Sequence, residues 1–230
     1  MANTAHLRLI KRGVKYWNEW RKEKFSDQPD LSYADLSGWD LRGANLISAD
    51  LSHANFTNAD LSGSYLSIAN LTNAYLSEAK LSGANLGKAD LTGVDLSFAN
   101  LSQAILIETK LHKALLVESK LTEALLNFAD LSRANLSKAD LRKAHMIKAT
   151  LLEANLSDAN LKAANLNRAL LSEADLSRAN LSEVNFTKAD LSFANLIEAD
   201  LHGANLNGVI LIEANLRGAN LQGTSLKKHN

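Results

Sequence analysis

The chain has 230 residues, with 25 Lys and Arg against 25 Asp and Glu, one Pro and no Cys. Zero net charge argues against a strongly basic nucleic-acid-binding protein and equally against a strongly acidic mimic of DNA, and the lack of Cys excludes disulfides and thiolate metal sites. The 43 Leu and 34 Ala place a third of the chain in two residue types, which is far from globular usage and indicates internal repetition.

Residues 1–28 carry a helical pattern. Apolar residues spaced three or four positions apart form one stripe, at Leu7, Ile10, Val14, Trp17 and Trp20. We expect one amphipathic helix with Asn3 or Thr4 as its N-cap, ending before Pro29. No stretch approaches the roughly 18 apolar residues of a transmembrane helix and no signal peptide is visible, so we expect a cytoplasmic protein without a membrane partner.

From Leu31 to Leu226 an apolar residue stands at every fifth position, 40 times without an insertion or deletion. Of these central residues 37 are Leu, and the residue two positions before a central one is Ala in 31 of 39 cases. The residue directly before the central one is Asp or Asn in 27 of 40 units. The unit therefore reads Ala-(Asp/Asn)-Leu-Ser-X.

A period of five fits neither a helix, whose apolar residues recur every three or four positions, nor a flat strand, whose faces alternate with period two. The pattern works if the chain turns a corner once per unit, because Leu and Ala then point inward and Asp or Asn points outward. Four units close one square coil, and stacked coils pair as parallel β-ladders. Residues 29–228 predict ten coils, a rod of roughly 45–50 Å at the usual strand spacing.

This unit, kept in one register over residues 29–228, resembles the pentapeptide-repeat family. The resemblance implies an all-β fold, a right-handed quadrilateral parallel β-helix, and a repeat solenoid without a conserved catalytic site. The segment 13–21, followed by Pro29, Asp30 and Leu31, is also similar to the lead-in of cyanobacterial members of the family. Fold alone implies no particular function.

A solenoid leaves the strand groups of its first coil unpaired, so this edge needs a cover. We interpret residues 1–28 as an α-helical cap, with Val14, Trp17 and Trp20 packing onto the first coil, residues 29–228 as the β-helix and 229–230 as a tail. The alternative for the N-terminal segment is a basic amphipathic helix that binds a membrane or a partner.

The C-terminal edge carries two open interpretations. After Leu226 only four polar residues follow. Either this edge pairs end to end with another copy of the chain, or Lys227 and Lys228 protect it by themselves.

Catalytic and metal-binding chemistry is not expected. Residues separated by one full coil stack on one another, and no two histidines within the repeat are so spaced, so we expect no metal site. The regular Asp and Asn favour turn hydrogen bonds over acid–base pairs. An uninterrupted rod offers no concave pocket, so we expect no cofactor and no enzymatic activity.

Two columns of stacked residues carry charge. One alternates in sign and predicts a cross-strand ladder, through Glu118, Lys138, Asp158, Arg178 and Glu198. The other holds three cations, Lys148, Arg168 and Lys188, which we call the basic stripe. The basic stripe would attract an anion or an acidic partner, although three cations are few.

The repeat breaks in the middle of the chain. The Asp or Asn position is lost five times in succession, at Ile105, Lys110, Leu115, Lys120 and Leu125. When the units are assigned to four faces, starting from 44–48, 49–53, 54–58 and 59–63 and recurring with every fourth unit, the first face presents the most apolar residues outward. We call seven of them the central patch: Tyr65, Ile68, Ile105, Ile107, Leu125, Phe128 and Ile147.

A contiguous apolar patch predicts a surface for a protein partner or for self-association. The alternative is that single outward aliphatic residues are ordinary on surfaces and suit strands. The second and third faces carry looser apolar sets, and the fourth is almost wholly polar.

These features favour a non-catalytic structural or interaction protein, a rigid rod that presents flat faces to an unidentified protein partner. Regulatory or scaffold roles are what the resemblance to cyanobacterial members implies. The alternative is a DNA-mimicking inhibitor of a type II topoisomerase, as some family members are. The balance of 25 basic and 25 acidic residues disfavours it, and we expect no nucleic-acid partner.

Overall fold

The computed structural model describes residues 2–24 and 27–225, which form two short helices followed by a stack of square coils. Helix α1 spans Thr4–Lys11 and helix α2 spans Val14–Glu23. Parallel bridges then join each residue of the Asp/Asn position to its counterpart one coil further on, from Asp30 with Asp50 to Asn205 with Ser225. The predicted right-handed quadrilateral β-helix with an N-terminal helical cap is confirmed.

Each five-residue unit is a turn followed by one bridge. In the first unit the Ala34 amide donates to the Leu31 carbonyl at 3.1 Å, and the residue before Ala34 has φ near +59°. This combination is that of a type II turn, and it recurs along the rod. The corner requires a left-handed backbone even where no glycine stands, as at Phe98 and Phe128, both with φ +61°.

The interior is filled by the two predicted rows. Central residues from Leu31 to Leu206 are buried, with Phe56, Met146 and Phe186 replacing Leu, and the Ala row lies between them. Full burial of each large side chain stabilises the fold by about 1.5–3 kcal/mol, so this stack supplies the main favourable contribution. No helix in the described part of the chain is long and apolar enough to cross a membrane.

The N-terminal segment differs from the single predicted helix. It breaks into α1 and α2 at Gly13, whose φ of +106° is unfavourable for residues with a side chain. Asn3 is the N-cap of α1, since its side chain accepts from the amides of Ala5 and His6. The break lets apolar residues of both helices, Ile10 and Trp17 among them, join the core.

The cap replaces the coil that would precede the first one. The Asp30 amide donates to Nδ1 of His6 at 3.1 Å, and the Asp30 carbonyl accepts from the Asn3 amide at 3.0 Å. The Asn45 amide donates to Oδ1 of Asn18 at 2.8 Å, while the Asn45 carbonyl accepts from Nε1 of Trp17 at 2.8 Å. These groups would otherwise form an open strand edge.

Two further cap contacts come from α2. Nδ2 of Asn18 donates to the Gly43 carbonyl at 2.9 Å, and the buried Arg21 donates to the Ile47 carbonyl at 2.9 Å. Val14 and Trp20 pack against the core beside Trp17. This packing favours the cap over the alternative of a basic amphipathic helix that binds a membrane or a partner, because the apolar side chains of the segment contact the first coil.

At the opposite end the core row opens to solvent. Leu211 and Leu216 are half-buried and Leu221 is 40% exposed. The predictions for this edge concern Leu226, Lys227 and Lys228, and for the tail residues 229–230; these lie outside the described residues.

Replacing Asn18 with Ala tests the cap. The variant leaves the Asn45 amide and the Gly43 carbonyl without their partners, so we expect a loss of about 1–3 kcal/mol in the free energy of unfolding. Urea denaturation measures it. Lys15→Ala on the exposed side of α2 is the control, and an equal effect of both substitutions would contradict this account of the cap.

The aspartates of the turns predict acid sensitivity. The Ser192 hydroxyl and amide donate to Asp190 Oδ1 at 2.6 and 2.9 Å and hold the pKa of that carboxyl below its usual value. Because the folded pKa is lowered, this stabilisation is complete above the unfolded pKa, about 4, and is lost as pH falls through the folded pKa.

Asp190→Asn keeps the Oδ1 acceptor without the titration, so it should lose less stability between pH 7 and pH 3 than the wild-type chain. The reverse change, Asn180→Asp, should lose more, since Asn180 makes the same contacts with Ser182. Chemical denaturation at the two pH values checks both, and an identical pH dependence of all three chains would refute the prediction.

Candidate functional site

The side chain of the Asp/Asn position closes the turn that follows it. Its Oδ1 accepts from the amide two residues later, as Asn85 does from Gly87 at 3.1 Å and Asn165 from Asn167 at 3.1 Å. Asp and Asn are suited to this role because their short side chains reach their own backbone. Where another residue stands there, the amide two positions on loses this acceptor.

The five successive losses therefore form a belt around the rod. Within the described chain, five amides of the belt have no hydrogen-bond acceptor: those of Ile107, His112, Val117, Thr122 and Asn127. An intact turn satisfies the equivalent group in most other units. The belt thus combines missing turn acceptors with apolar side chains at Ile105, Leu115 and Leu125.

The central patch lies on the first face, as the assignment of units predicted. Ile105 is bridged to Leu125, so these two side chains are direct neighbours on adjacent coils. Tyr65, Ile68 and Phe128 are 51%, 61% and 53% exposed. Four members are half-buried by their neighbours: Ile105, Ile107, Leu125 and Ile147.

The patch is not continuous over all seven residues. Tyr65 is bridged to Asn85, which is bridged to Ile105, so one polar coil separates Tyr65 and Ile68 from the remainder. That coil also presents Lys88, which pairs with Glu108 at 3.6 Å. The contiguous part therefore consists of the five residues from Ile105 to Ile147.

The basic stripe continues the patch along the same corner of the rod. Lys148 follows Phe128 by one coil, and its Nζ lies 5.3 Å from the centre of the Phe128 ring, a cation–π contact. Arg168 and Lys188 follow on the next two coils and are exposed. Among the described residues, no carboxylate lies within ion-pair distance of any of the three cations.

On the third face, by contrast, the cations form ion pairs with carboxylates of neighbouring coils. Lys138 pairs with Glu118 at 3.6 Å and Arg178 with Asp158 at 2.7 Å, so the predicted ladder forms as two ion pairs. Hydrogen bonds from Arg178 lower the pKa of the Asp158 carboxyl. Both cations of this column are paired with carboxylates of the rod, unlike the cations of the basic stripe.

A cleft of about 450 Å³ lies where the cap meets the fourth face, lined by Gly13, Val14, Asp40 and Arg42. Its two charged groups pair with each other at 2.6 Å, and the Arg42 contact lowers the pKa of Asp40 to about 2. A carboxylate held ionised in this way is a poor general acid or base. The described residues contain no group of His, Asp and Glu that could hold a metal ion.

Several functional contacts escape the sequence pattern. Asn18, Arg21 and His6 bind backbone groups of the first coil, yet they stand among polar helix residues that look solvent-exposed. The acceptor-free amides of the belt, by contrast, follow directly from each lost Asp or Asn. The run of five units without Asp or Asn is therefore the sequence signal from which these amides could have been identified.

The family of the chain is shown by the comparison with family models. The model of pentapeptide repeats matches with eight copies over residues 30–67, 69–106, 119–151, 154–192 and 194–228. The protein belongs to the pentapeptide-repeat family. The longest unmatched gap inside the repeat, 107–118, falls within the belt.

Solved structures of pentapeptide-repeat proteins are similar along most of the chain. HetL from the cyanobacterium Nostoc sp. strain PCC 7120, a pentapeptide repeat protein involved in heterocyst differentiation regulation, is 35% identical, with 90% of this chain and 95% of HetL covered and a TM-score of 0.54. QnrB1, a plasmid-mediated fluoroquinolone resistance protein, is 18% identical over 86% of this chain and 88% of its own, with a TM-score of 0.52, and shows the fold alone. No curated protein matches the sequence.

Restoring the lost turn acceptors should stabilise the rod. Ile105→Asn and Leu125→Asn each supply an Oδ1 for the acceptor-free amides of Ile107 and Asn127, so we expect a gain of about 0.5–1.5 kcal/mol per substitution. Thermal or urea unfolding measures it. Asn165→Ile removes an existing turn bond and should destabilise, and a loss of stability in the two repaired variants would contradict this reading of the belt.

Proposed function

We propose that the protein is a non-catalytic regulatory protein that acts by binding a protein partner through the contiguous part of the central patch. The observation that carries this proposal is the coincidence of neighbouring apolar side chains with lost turn acceptors on one face of an otherwise regular rod. A single Asn at either turn position would restore the turn hydrogen bond. The absence of Asn there, with its expected loss of stability, is explained if the apolar side chains bind a partner.

The similarity to HetL supports a regulatory role, because it extends over nearly the whole of both chains at 35% identity. The rigid interior also supports a binding role. A rod whose corners and core repeat without insertion presents its side chains in fixed positions, so a partner binds without the entropy cost of ordering this surface.

The test compares two variants with the same chemistry on different faces. Ile105→Asn, Leu125→Asn and Phe128→Asn together remove the patch, and Asn is tolerated at the left-handed φ of Phe128. Tyr75→Asn, Leu115→Asn and Phe98→Asn make the equivalent changes on the third face, again at two turn positions and one corner.

Both variants should fold with unchanged circular dichroism. We expect the first-face variant to lose at least about tenfold in retention of a partner captured from the source cells, or to lose self-association, since burial of three such side chains is worth several kcal/mol. The third-face variant should retain both properties. An unchanged set of partners and an unchanged oligomeric state in the first-face variant would refute the proposal.

The topoisomerase-directed alternative is tested separately. It requires a strongly negative surface, whereas this chain balances 25 basic against 25 acidic residues, and several carboxylates are paired along the rod. In a gyrase supercoiling assay we expect no inhibition by the purified protein. Inhibition at micromolar concentration would favour the alternative over the regulatory role.

A further inference from the structure

The first face contains backbone amides that a bound partner would have to supply with hydrogen-bond acceptors. The amides of Ile107 and Asn127 lack an acceptor in the described structure, and both belong to this face. Buried without a partner, each such donor would cost about 1–3 kcal/mol. A partner that covers Ile105 and Leu125 must therefore bring oxygen atoms to this place, from carbonyls or carboxylates.

The unpaired cations of the basic stripe favour a partner that carries negative charge. Lys148, Arg168 and Lys188 are exposed, stand one coil apart on a corner of the first face, and form no ion pair with the described residues. At a coil spacing of about 4.8 Å, they span roughly 10 Å along the rod. The third face also loses a turn acceptor at Leu115, but both cations of its charged column are paired with carboxylates of the rod, so it offers no unpaired positive charge to a partner.

Apolar residues flank the basic stripe on both sides. Ile147 precedes Lys148 on the first face, and Leu152 and Leu170, 37% and 43% exposed, lie across the corner on the second. Acidic residues also stand near the stripe: Asp190 is two residues beyond Lys188, and Glu153 and Glu173 lie at the next corner, five residues beyond Lys148 and Arg168. Glu153 already pairs with Arg133 at 2.8 Å, and the other two carboxylates balance only two of the three cations, so the stripe keeps a net positive charge.

From this placement we infer that the partner presents an acidic segment that also carries aliphatic side chains, and that this segment lies along the rod from the contiguous part of the central patch to the basic stripe. The inference rests on the proposed function and specifies the chemistry of the partner. Aliphatic side chains cover Ile105, Leu125 and Phe128, and carboxylates meet Lys148, Arg168 and Lys188.

An acidic protein segment fits this surface better than a nucleic acid or an anionic membrane. Three cations neutralise too few phosphates for useful nucleic-acid binding at physiological salt, because affinity falls with each missing contact. A membrane attracts a polybasic cluster by about 1 kcal/mol per cation, and three cations on a corner of a neutral rod give little. The flanking aliphatic side chains instead match a mixed acidic and apolar peptide.

The probe is a fluorescein-labelled decapeptide of alternating Glu and Leu with Ser-Gly ends, titrated with the full-length protein and followed by fluorescence anisotropy. Lys148→Glu, Arg168→Glu and Lys188→Glu together should weaken its binding by at least about tenfold, and raised salt should weaken binding to the wild-type chain. The control variant Lys80→Glu, Lys113→Glu and Lys120→Glu makes the same change of charge on other faces and should bind within about twofold of the wild type.

Three results would overturn the inference: no binding of the acidic peptide, an equal loss in both charge variants, or tighter binding to duplex DNA or to phosphatidylserine vesicles than to the peptide. Capture of the partner from the source cells separates this inference from the proposed function. If Ile105→Asn, Leu125→Asn and Phe128→Asn abolish capture while the charge variant of the stripe leaves it intact, the acidic segment is wrong and the binding role stands. If neither variant changes capture, both fail.

Discussion

The backbone hydrogen bond between successive coils is the constraint on which the rest of this molecule depends. The amide of each central residue from Leu31 to Leu206 donates to a carbonyl of the next coil, as Leu31 does to Asp50 at 2.8 Å. In this chain the bond recurs because the backbone turns a corner once per five-residue unit, with a left-handed residue at each corner and Leu and Ala in the inward rows. It also leaves the first coil with unpaired groups, and the side chains of Asn18 and Trp17 take the place of a preceding coil.

Because this geometry fixes the residue types of the interior, the side chains that distinguish one unit from another stand at the outward positions. The turn position is occupied by Asp or Asn for stability, so each departure removes an acceptor from a backbone amide. Five departures in succession, from Ile105 to Leu125, concentrate this loss in a single belt. We expect stability to be lower there than the repeat permits, a pattern typical of a surface that serves binding.

The sequence predicts most of the fold and only part of the surface. The period of five determines the coil, the buried rows and the face on which Ile105 and Leu125 become neighbours, because every register is local and uninterrupted. The break at Gly13 could not be predicted, since the stripe from Leu7 to Trp20 fits one continuous helix. The separation of Tyr65 from Ile105 by a polar coil follows from the same period, since Asn85 stands between them in the column of stacked residues. The missing ion-pair partners of the basic stripe required the structure, because side-chain reach is not a property of spacing.

We expect the first face, and no other, to contact a partner. Site-specific photo-crosslinking in the source cells tests it most directly, with a photoreactive phenylalanine analogue placed at Phe128 on the first face or at Phe98 on the third. The two positions are matched, with φ +61° at both and exposures of 53% and 56%. We expect a discrete crosslinked protein from position 128 and none from position 98. No adduct from position 128, or the same adducts from both positions, would contradict it.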